Sequence, residues 1–302
     1  MINNLILSGN QIRGLGYVGV LKALEELNIK KYIKNICGIS SGSIFALAYC
    51  LRFSYNDLRT FVFKINIDDL KEGYYENIFN LIDKYGLDSG HKFERLIKLL
   101  LKKKIGNENC TFLDLNKFNS DNNLIIVGSN LTTMKTEYFS MDTTPDMEIW
   151  KAIRISISFP IIFEKFVLNQ QIYIDGGVTD NYPIEHFIDD LDNTIGICIH
   201  SSNELPIINS LHTYLLRIIY ILASQKERVY CKKYANNTII INVNMNIASI
   251  DFSNELKQNL IDEGYNQFIT KIKEKDVYKR YVNNITKELM DDIIDIIDIL
   301  QH

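Results

Sequence analysis

The first fifty residues confine the fold more tightly than any other part of this 302-residue chain. Leu5-Ile6-Leu7 is a short apolar strand, and the loop Ser8–Gly14 follows it. Val18–Leu27 then sets Val18, Leu21, Leu24 and Leu27 on one face and turns Lys22, Glu25 and Glu26 elsewhere, which is helical spacing. Tyr32–Cys37 is the next strand, and Ser43–Leu51 is a helix too apolar to be exposed. Strands alternating with buried helices predict an α/β fold, with a mostly parallel central sheet covered on both faces.

The remainder is read more coarsely. Between Ser54 and Asn119 the pattern is mostly helical, with a capping box at Ser54-Tyr55-Asn56-Asp57 and an apolar helix face over Phe93–Leu101. A lid over a substrate site is expected from this stretch. Leu124–Val127 returns to strand, and Val167-Leu168 and Ile172-Tyr173-Ile174 flank Asn169-Gln170-Gln171 as a hairpin. Thr194–Ile199 and Thr238–Val243 are further strands, with a helix over Tyr214–Ala223. Without repeats or linkers, and with only 4 Pro, a single domain over residues 1–302 is expected. In Leu289–Leu300, Asp291, Asp292, Asp295 and Asp298 alternate with isoleucines at helical spacing. An acidic face is repelled by anionic lipid, so this helix is expected to pack on its own domain.

Charge and cysteine usage narrow the function classes. With 33 basic and 37 acidic residues the net charge is −4, and Lys102-Lys103-Lys104, the short basic block, reads as a solvated helix end. No nucleic-acid partner is expected. Cys37, Cys50, Cys110, Cys198 and Cys231 are scattered, and none forms a C-x-x-C pair. That argues against zinc and against a disulfide framework, and Cys37 and Cys198 read as small buried hydrophobes in a reducing compartment. Met1-Ile2-Asn3-Asn4 does not open a signal peptide, and no apolar run reaches membrane-spanning length. A cytoplasmic location is expected.

Gly38-Ile39-Ser40-Ser41-Gly42 fits G-x-S-x-G, directly after one strand and directly before a helix. On such an elbow the serine projects from a strained turn, Gly38 and Gly42 keep side chains away, and the helix N-terminus favours developing negative charge. Ser41 and Ser43 are rival serines not set between glycines. A serine nucleophile needs a base and an oxyanion hole. Asp175-Gly176-Gly177 ends a strand on a tight turn and is the best candidate for the base, though an ordinary Asp-Gly turn reads the same way. The loop Gly9–Gly14 offers backbone donors, with Arg13 adding positive charge. Among His91, His186, His200, His212 and His302, only His186 and His200 lie near strand ends, so a Ser-His-Asp triad stays open. Gly14-Leu15-Gly16-Tyr17-Val18-Gly19 satisfies G-x-G-x-x-G, but five residues intervene after Ser8, and the next strand ends without an acid. It is not read as a dinucleotide site.

Taken in order, these pieces resemble the patatin-like phospholipases. Their signature is a glycine-rich loop ending in basic-Gly, a G-x-S-x-G elbow and a D-G-[GA] turn. Ser8-Gly9-Asn10-Gln11-Ile12-Arg13-Gly14, Gly38–Gly42 and Asp175-Gly176-Gly177 match in turn. Ala152–Ser156 with Pro160 and Phe163, then Pro183, Asp251-Phe252 and Gly264, extend the likeness over roughly residues 5–268, leaving a helical C-terminal extension. The resemblance implies a three-layer α/β/α sandwich and a metal-free, cofactor-free dyad, with Ser40 attacking and Asp175 as base. It further implies oxyanion donors from the loop holding Gly9, Asn10, Gln11, Arg13 and Gly14. Phospholipids, lysophospholipids or other acyl esters at a peripheral membrane surface are the implied substrates, and no activating protein is specified. The chain departs from the family at Gly9-Asn10-Gln11, where consecutive glycines are usual. Asn accepts a left-handed backbone and Gln does so less readily. Either an Asn10 side-chain donor reshapes the hole, or the hole is impaired at about 3–4 kcal/mol per lost donor. A lipid- or partner-binding pseudoenzyme is therefore the alternative to a lipid acyl hydrolase, and a triad esterase the third reading.

Overall fold

The computed structural model describes residues 1–72, 83–201, 208–243 and 253–301. Asp251, Phe252 and His302 lie outside them, as do the side chains of His212, Asp292, Asp295 and Asp298. In chain order the strands are β1 (Asn4–Leu7), β2 (Asn35–Gly38), β3 (Gly86–Asp88), β4 (Asn123–Asn130), β5 (Lys135–Phe139), β6 (Ile161–Phe163), β7 (Phe166–Leu168), β8 (Gln171–Asp175), β9 (Thr194–Ser201) and β10 (Thr238–Val243). The helices are α1 (Gly16–Glu26), α2 (Ser41–Cys50), α3 (Tyr55–Lys64), α4 (His91–Ile105), α5 (Phe112–Phe118), α6 (Ile149–Ser156), α7 (Gly177–Asp180), α8 (Leu211–Lys233), α9 (Asn254–Ile272) and α10 (Asp276–Gln301).

The main sheet runs β10-β9-β1-β2-β4-β8-β7, with β5 also paired to β4. Its five strands from β10 to β4 are parallel, while β5, β7 and β8 pair antiparallel. Successive strand residues point to opposite faces. Leu5, Leu7, Ile36, Leu124, Ile126 and Ile197 therefore join one core with α1 and α2, and Ile6, Cys37, Ile125, Val127 and Cys198 join the other with Tyr182, Phe187 and Tyr234. Both faces being buried is why these strands read as unbroken apolar runs. The result is the expected three-layer α/β/α arrangement.

Local differences from the sequence reading have physical causes. β2 begins at Asn35 rather than Tyr32, because Lys30–Tyr32 forms a 3-10 turn. The expected loop before α1 closes into a second 3-10 turn, Gln11–Leu15. The hairpin turns on Asn169 and Gln170 alone, at φ 50° and 64°, a two-residue connection that matches strand twist. Ser210 supplies a capping box that starts α8 at Leu211, and the helix continues to Lys233, well beyond the expected Tyr214–Ala223. Ser54 and Asp57 form their capping box as read. The lysine triplet ends α4, where Lys102 meets Glu108 at 3.2 Å. The start of α10 packs on the body through buried Val277 and Tyr281, the latter donating its hydroxyl to Leu27 O at 3.0 Å.

The chain moves outward from β1 through β2 to β4, then returns to lay β9 on the other side of β1. Loops leaving the carboxyl ends of β9, β1 and β2 thus part company, and a crevice opens at this switch point. The glycines of the G-x-G-x-x-G run serve packing. A methyl group on Gly19 would sit 1.9 Å from Ile261 O, and one on Gly264 2.0 Å from Gly16 O. These positions let α1 and α9 touch backbone to backbone. Gly19→Ala is expected to lower the unfolding free energy by about 1–3 kcal/mol, seen as an earlier urea midpoint with an unchanged slope.

Candidate active site

Ser40 occupies the elbow between β2 and α2 at φ 50°, ψ −126°, a backbone region that L-residues rarely enter. Such a conformation costs on the order of 1–3 kcal/mol and persists only where neighbours over-determine it. Here Gly42 N–H donates to Ile39 O at 2.8 Å, the Ser43 hydroxyl donates to Ser40 O at 2.6 Å, and Ser40 N–H donates to Ser156 Oγ at 2.9 Å. A methyl group on Gly42 would lie 2.1 Å from Leu7 O, so the elbow is pressed onto the end of β1.

Asp175 reaches the same level from an antiparallel strand. Gly38 of β2 pairs with Ile126 of β4, and Asp175 of β8 pairs with Gly128, two residues farther along β4. Ser40 lies two residues beyond Gly38, which aligns it with Asp175 across β4. β8 stops there, its Asp175 N–H donating to Ser158 O at 2.9 Å and its Asp175 carbonyl accepting from Ser129 Oγ at 2.8 Å. Buried Arg154 donates to Ser158 Oγ and, at 2.6 Å, to Ser89 O, which fixes the segment that receives β8.

The Asp175 carboxylate has no solvent exposure. Oδ1 accepts the Gly177 N–H at 2.7 Å, and Oδ2 has no hydrogen bond of regular geometry. Burial pushes the Asp175 pKa up to about 7, against the weaker opposite pull of the Ser40 hydroxyl and the Gly177 N–H. Ser40 is thus near enough to stabilise the carboxylate without forming a closed hydrogen bond. Contacts of this kind commonly tighten only when substrate is bound.

The Gly9 loop lies against the elbow, and a methyl group on Gly9 would sit 2.8 Å from Ser40 Cβ. Asn181, just after α7, clamps that peptide from both sides: its Oδ1 accepts Gly9 N–H at 3.1 Å and its Nδ2 donates to Gly9 O at 3.0 Å. Asn10 N–H donates to Ser41 Oγ at 3.1 Å. The Asn10 side chain is buried and turned away, donating to Ser8 Oγ and to the Tyr17 hydroxyl, each at 2.8 Å. This corrects the expectation of an Asn10 side-chain donor in the hole. The left-handed residue is Gln11, at φ 53°, and not Asn10, at φ −142°. Gln11 opens the 3-10 turn, so its N–H has no carbonyl within that turn. Arg13 Nε donates to Asn10 O at 3.2 Å, and burial lowers the Arg13 pKa from its usual value. A methyl group on Gly14 would meet Ser41 Oγ at 2.8 Å, so this glycine supports the elbow from behind.

A cavity of about 520 Å³ joins these parts. Ser40, Asp175, Gly177, Gly9, Asn10, Gln11 and Arg13 line it, while Gly14, Gly38, Gly42 and Gly176 stand behind the lining. Its outer wall is α8, through Leu216, Tyr220 and Ile221, held down by a Phe159–Tyr220 ring stack at 4.9 Å and a Lys226–Asp180 ion pair at 2.5 Å. No described residue between Ser54 and Asn119 lines the cavity, and residues 73–82 of that stretch lie outside the described residues.

His200 also lines the cavity, but its Nε2 is 2.6 Å from Glu227 Oε1. His186 stacks on Tyr138 at 4.1 Å, outside the lining, and burial lowers its pKa. Among the described residues no hydrogen bond joins Ser40 to a histidine. Two contributors escaped the sequence reading, Asn181 and Glu227, the latter accepting from Asn181 Nδ2. Neither sits in a glycine-rich turn, and only tertiary packing brings them to Gly9. Glu227 also belongs, with Cys198, His200 and Cys231, to the only group of metal-ligating side chains found among the described residues.

A family model described as patatin-like phospholipase matches residues 5–188. An uncharacterized protein of Acanthamoeba polyphaga mimivirus is 37% identical over 268 residues, covering 85% of this chain and 88% of that protein. A "probable lipid hydrolase" of Invertebrate iridescent virus 6 is 32% identical over 184 residues, 60% of this chain and 61% of that one. Among solved structures, VipD from Legionella pneumophila superposes with a TM-score of 0.62 at 17% identity, over 89% of this chain and 66% of VipD. ExoU from Pseudomonas aeruginosa, solved with SpcU, gives 0.53 at 17% identity, over 90% of this chain and 52% of that one. At such identity the structures speak for the fold, and the chain spans about half to two thirds of their length. With the family model matched over more than half its residues, the chain belongs to the patatin-like phospholipase family.

Proposed function

We propose that the chain hydrolyses fatty-acyl esters of phospholipids or lysophospholipids through a Ser40–Asp175 dyad. The observation that carries this reading is a fully buried carboxylate with one free oxygen beside a serine on a strained elbow, both opening into one cavity. In this reaction Ser40 Oγ attacks the ester carbonyl while Asp175 Oδ2 takes its proton. The acyl-enzyme forms and the alcohol leaves with that proton. Water, deprotonated by the same carboxylate, then releases the fatty acid and frees Ser40. A carboxylate held near 7 is a far better base than an ordinary one, which offsets the lack of imidazole. Phe159, Ile199, Leu216 and Ile221 offer apolar wall to an acyl chain, and Arg13 and Arg228 offer charge to a phosphate.

A lipid surface is the natural source of such a substrate. No described helix is long and apolar enough to cross a membrane. On α8, however, Leu211, Tyr214, Leu215, Ile218, Leu222 and Val229 remain exposed, and Arg228 and Lys232 are exposed on the same helix. Apolar residues flanked by basic ones suit an anionic interface.

A second reading, a binding protein without turnover, is favoured by one observation. The Gly9 and Asn10 N–H groups are already bonded to Asn181 and Ser41, which leaves Gln11 N–H as the open donor among the loop residues lining the cavity. Turnover assays of the wild type, Ser40→Ala and Asp175→Asn on phospholipid and short-chain esters separate the two. The dyad predicts a loss of at least about 10⁴-fold for Ser40→Ala and about 10²–10⁴-fold for Asp175→Asn. Equal, background rates in all three, with no fluorophosphonate labelling of Ser40, establish the binding protein instead.

The dyad also fixes the pH behaviour. Asp175 must be ionised to act, so kcat/KM rises with pH through about 7 and then levels. Because the folded state holds this proton more tightly than the unfolded chain, the stability it contributes is complete below the ordinary carboxylate range. It is lost as pH climbs to about 7. Asp175→Asn should accordingly gain on wild type in melting temperature from pH 5 to pH 8, by up to ~3 kcal/mol in relative terms. Ser40→Gly should abolish turnover as Ser40→Ala does, yet exceed Ser40→Ala in unfolding free energy by about 1–2 kcal/mol by relieving the elbow. Finally, Leu222→Asp should weaken sedimentation with anionic vesicles several-fold while leaving hydrolysis of a soluble short-chain ester intact. Unchanged vesicle binding would remove α8 from the interface.

A further inference from the structure

β9 and α8 face each other across the second core, and each contributes a pair of ligand-type side chains. Cys198 and His200 are two apart on the strand and therefore share a face. Glu227 and Cys231 are four apart on the helix and share a face there. The four donor atoms lie within 4.8 Å of one another, and Cys198, Glu227 and Cys231 are buried. The two sulfurs are 3.6 Å apart, and His200 Nε2 is 2.6 Å from Glu227 Oε1.

From this convergence we infer that Cys198, His200, Glu227 and Cys231 bind one zinc-class divalent ion tetrahedrally. Metal–sulfur bonds of about 2.3 Å and metal–nitrogen or metal–oxygen bonds of about 2.0 Å set tetrahedral donors about 3.3–3.8 Å apart. The sulfur pair already fits, and the imidazole and carboxylate part by about 0.7 Å to admit the ion. Binding releases one proton from each thiol, and His200 ligates through Nε2 with its remaining proton on Nδ1. Two thiolates with imidazole and carboxylate favour zinc over calcium or magnesium, which prefer oxygen alone.

The site would be structural. All four positions are filled by protein, leaving no place for a reacting water. Its consequence runs through Glu227, which bonds Asn181, whose amide clamps the Gly9 peptide beside Ser40. The ion would tie the wall helix α8 to β9 of the main sheet and hold the clamp in place. This inference is independent of the dyad, and hydrolysis and metal binding fail separately. C-x-x-C reading passes over it, because C-x-H on a strand and E-x-x-x-C on a helix meet only after folding.

The test uses the full chain, purified under reductant without chelator. Zinc is counted after gel filtration, and cobalt(II) is titrated into metal-stripped protein while thiolate-to-cobalt charge transfer is followed in the near ultraviolet. The expected result is about one zinc per chain and an intense charge-transfer band, both lost when chelator is added. Cys198→Ser and Cys231→Ser should each weaken binding by more than the ~10–100-fold cost of losing a supporting residue. The wild-type cobalt spectrum decides the matter even if those variants fold poorly. No retained zinc, cobalt bound without the thiolate band, or binding unchanged in both variants would overturn the site.

Discussion

The arrangement depends on one short antiparallel strand that stops in mid-sheet. In a parallel sheet the ends that carry chemistry all lie along one edge, so a second functional group normally comes from another strand's carboxyl end. β8 instead enters from that edge, runs down the carboxyl half of β4 and halts at Gly128. Its last residue is thereby delivered to the level of the β2–α2 elbow. Had the pairing of β8 with β4 slipped by one residue, Asp175 would face the other side of the sheet, because side chains alternate. The turn at Gly176, pressed against Val127 O, and the hydrogen bond from Asp175 N–H to Ser158 O enforce the stop.

The unfavourable features are gathered around that meeting point. Ser40 has a strained backbone, Gln11 is left-handed, and Asp175 is a carboxyl group without water. Each would be expelled from an unconstrained chain. They persist because the surroundings are over-determined: Ser156 holds Ser40 N–H, Ser129 and Ser158 hold the peptide groups of Asp175, and Arg154 holds Ser158. These are neutral or remote donors and acceptors, and none compensates the carboxylate charge directly. The scaffold therefore fixes position while leaving the acid poised.

What the sequence disclosed was local. The elbow, the Asp-Gly-Gly turn, the capping box at Ser54 and the Asn-Gln hairpin are decided by φ/ψ demands of three or four neighbours, which residue types reveal. The buried strands were legible because two-sided burial leaves an apolar run. The role of α8 was not legible, since periodicity says that a helix has an apolar face without saying what it covers. Asn181 and Glu227 were invisible for the same reason. At Asn10-Gln11 the sequence identified the place but not the outcome: Tyr17 and Ser8 offer the Asn10 amide a buried set of partners, so the left-handed turn falls to Gln11. The glycines of the dinucleotide-like run found use in a helix crossing, where small size and not phosphate contact is what counts.

The length of α8 has a mechanical meaning. Its 23 residues form a rod of about 35 Å that is stiff over that distance. One flank seals the cavity, another carries Glu227 to the Gly9 clamp, and the outer side is greasy. A rod cannot be pushed on one side without shifting the other. The flank that seals the cavity, the carboxylate that meets the Gly9 clamp and the outer apolar side are thus carried by one stiff element.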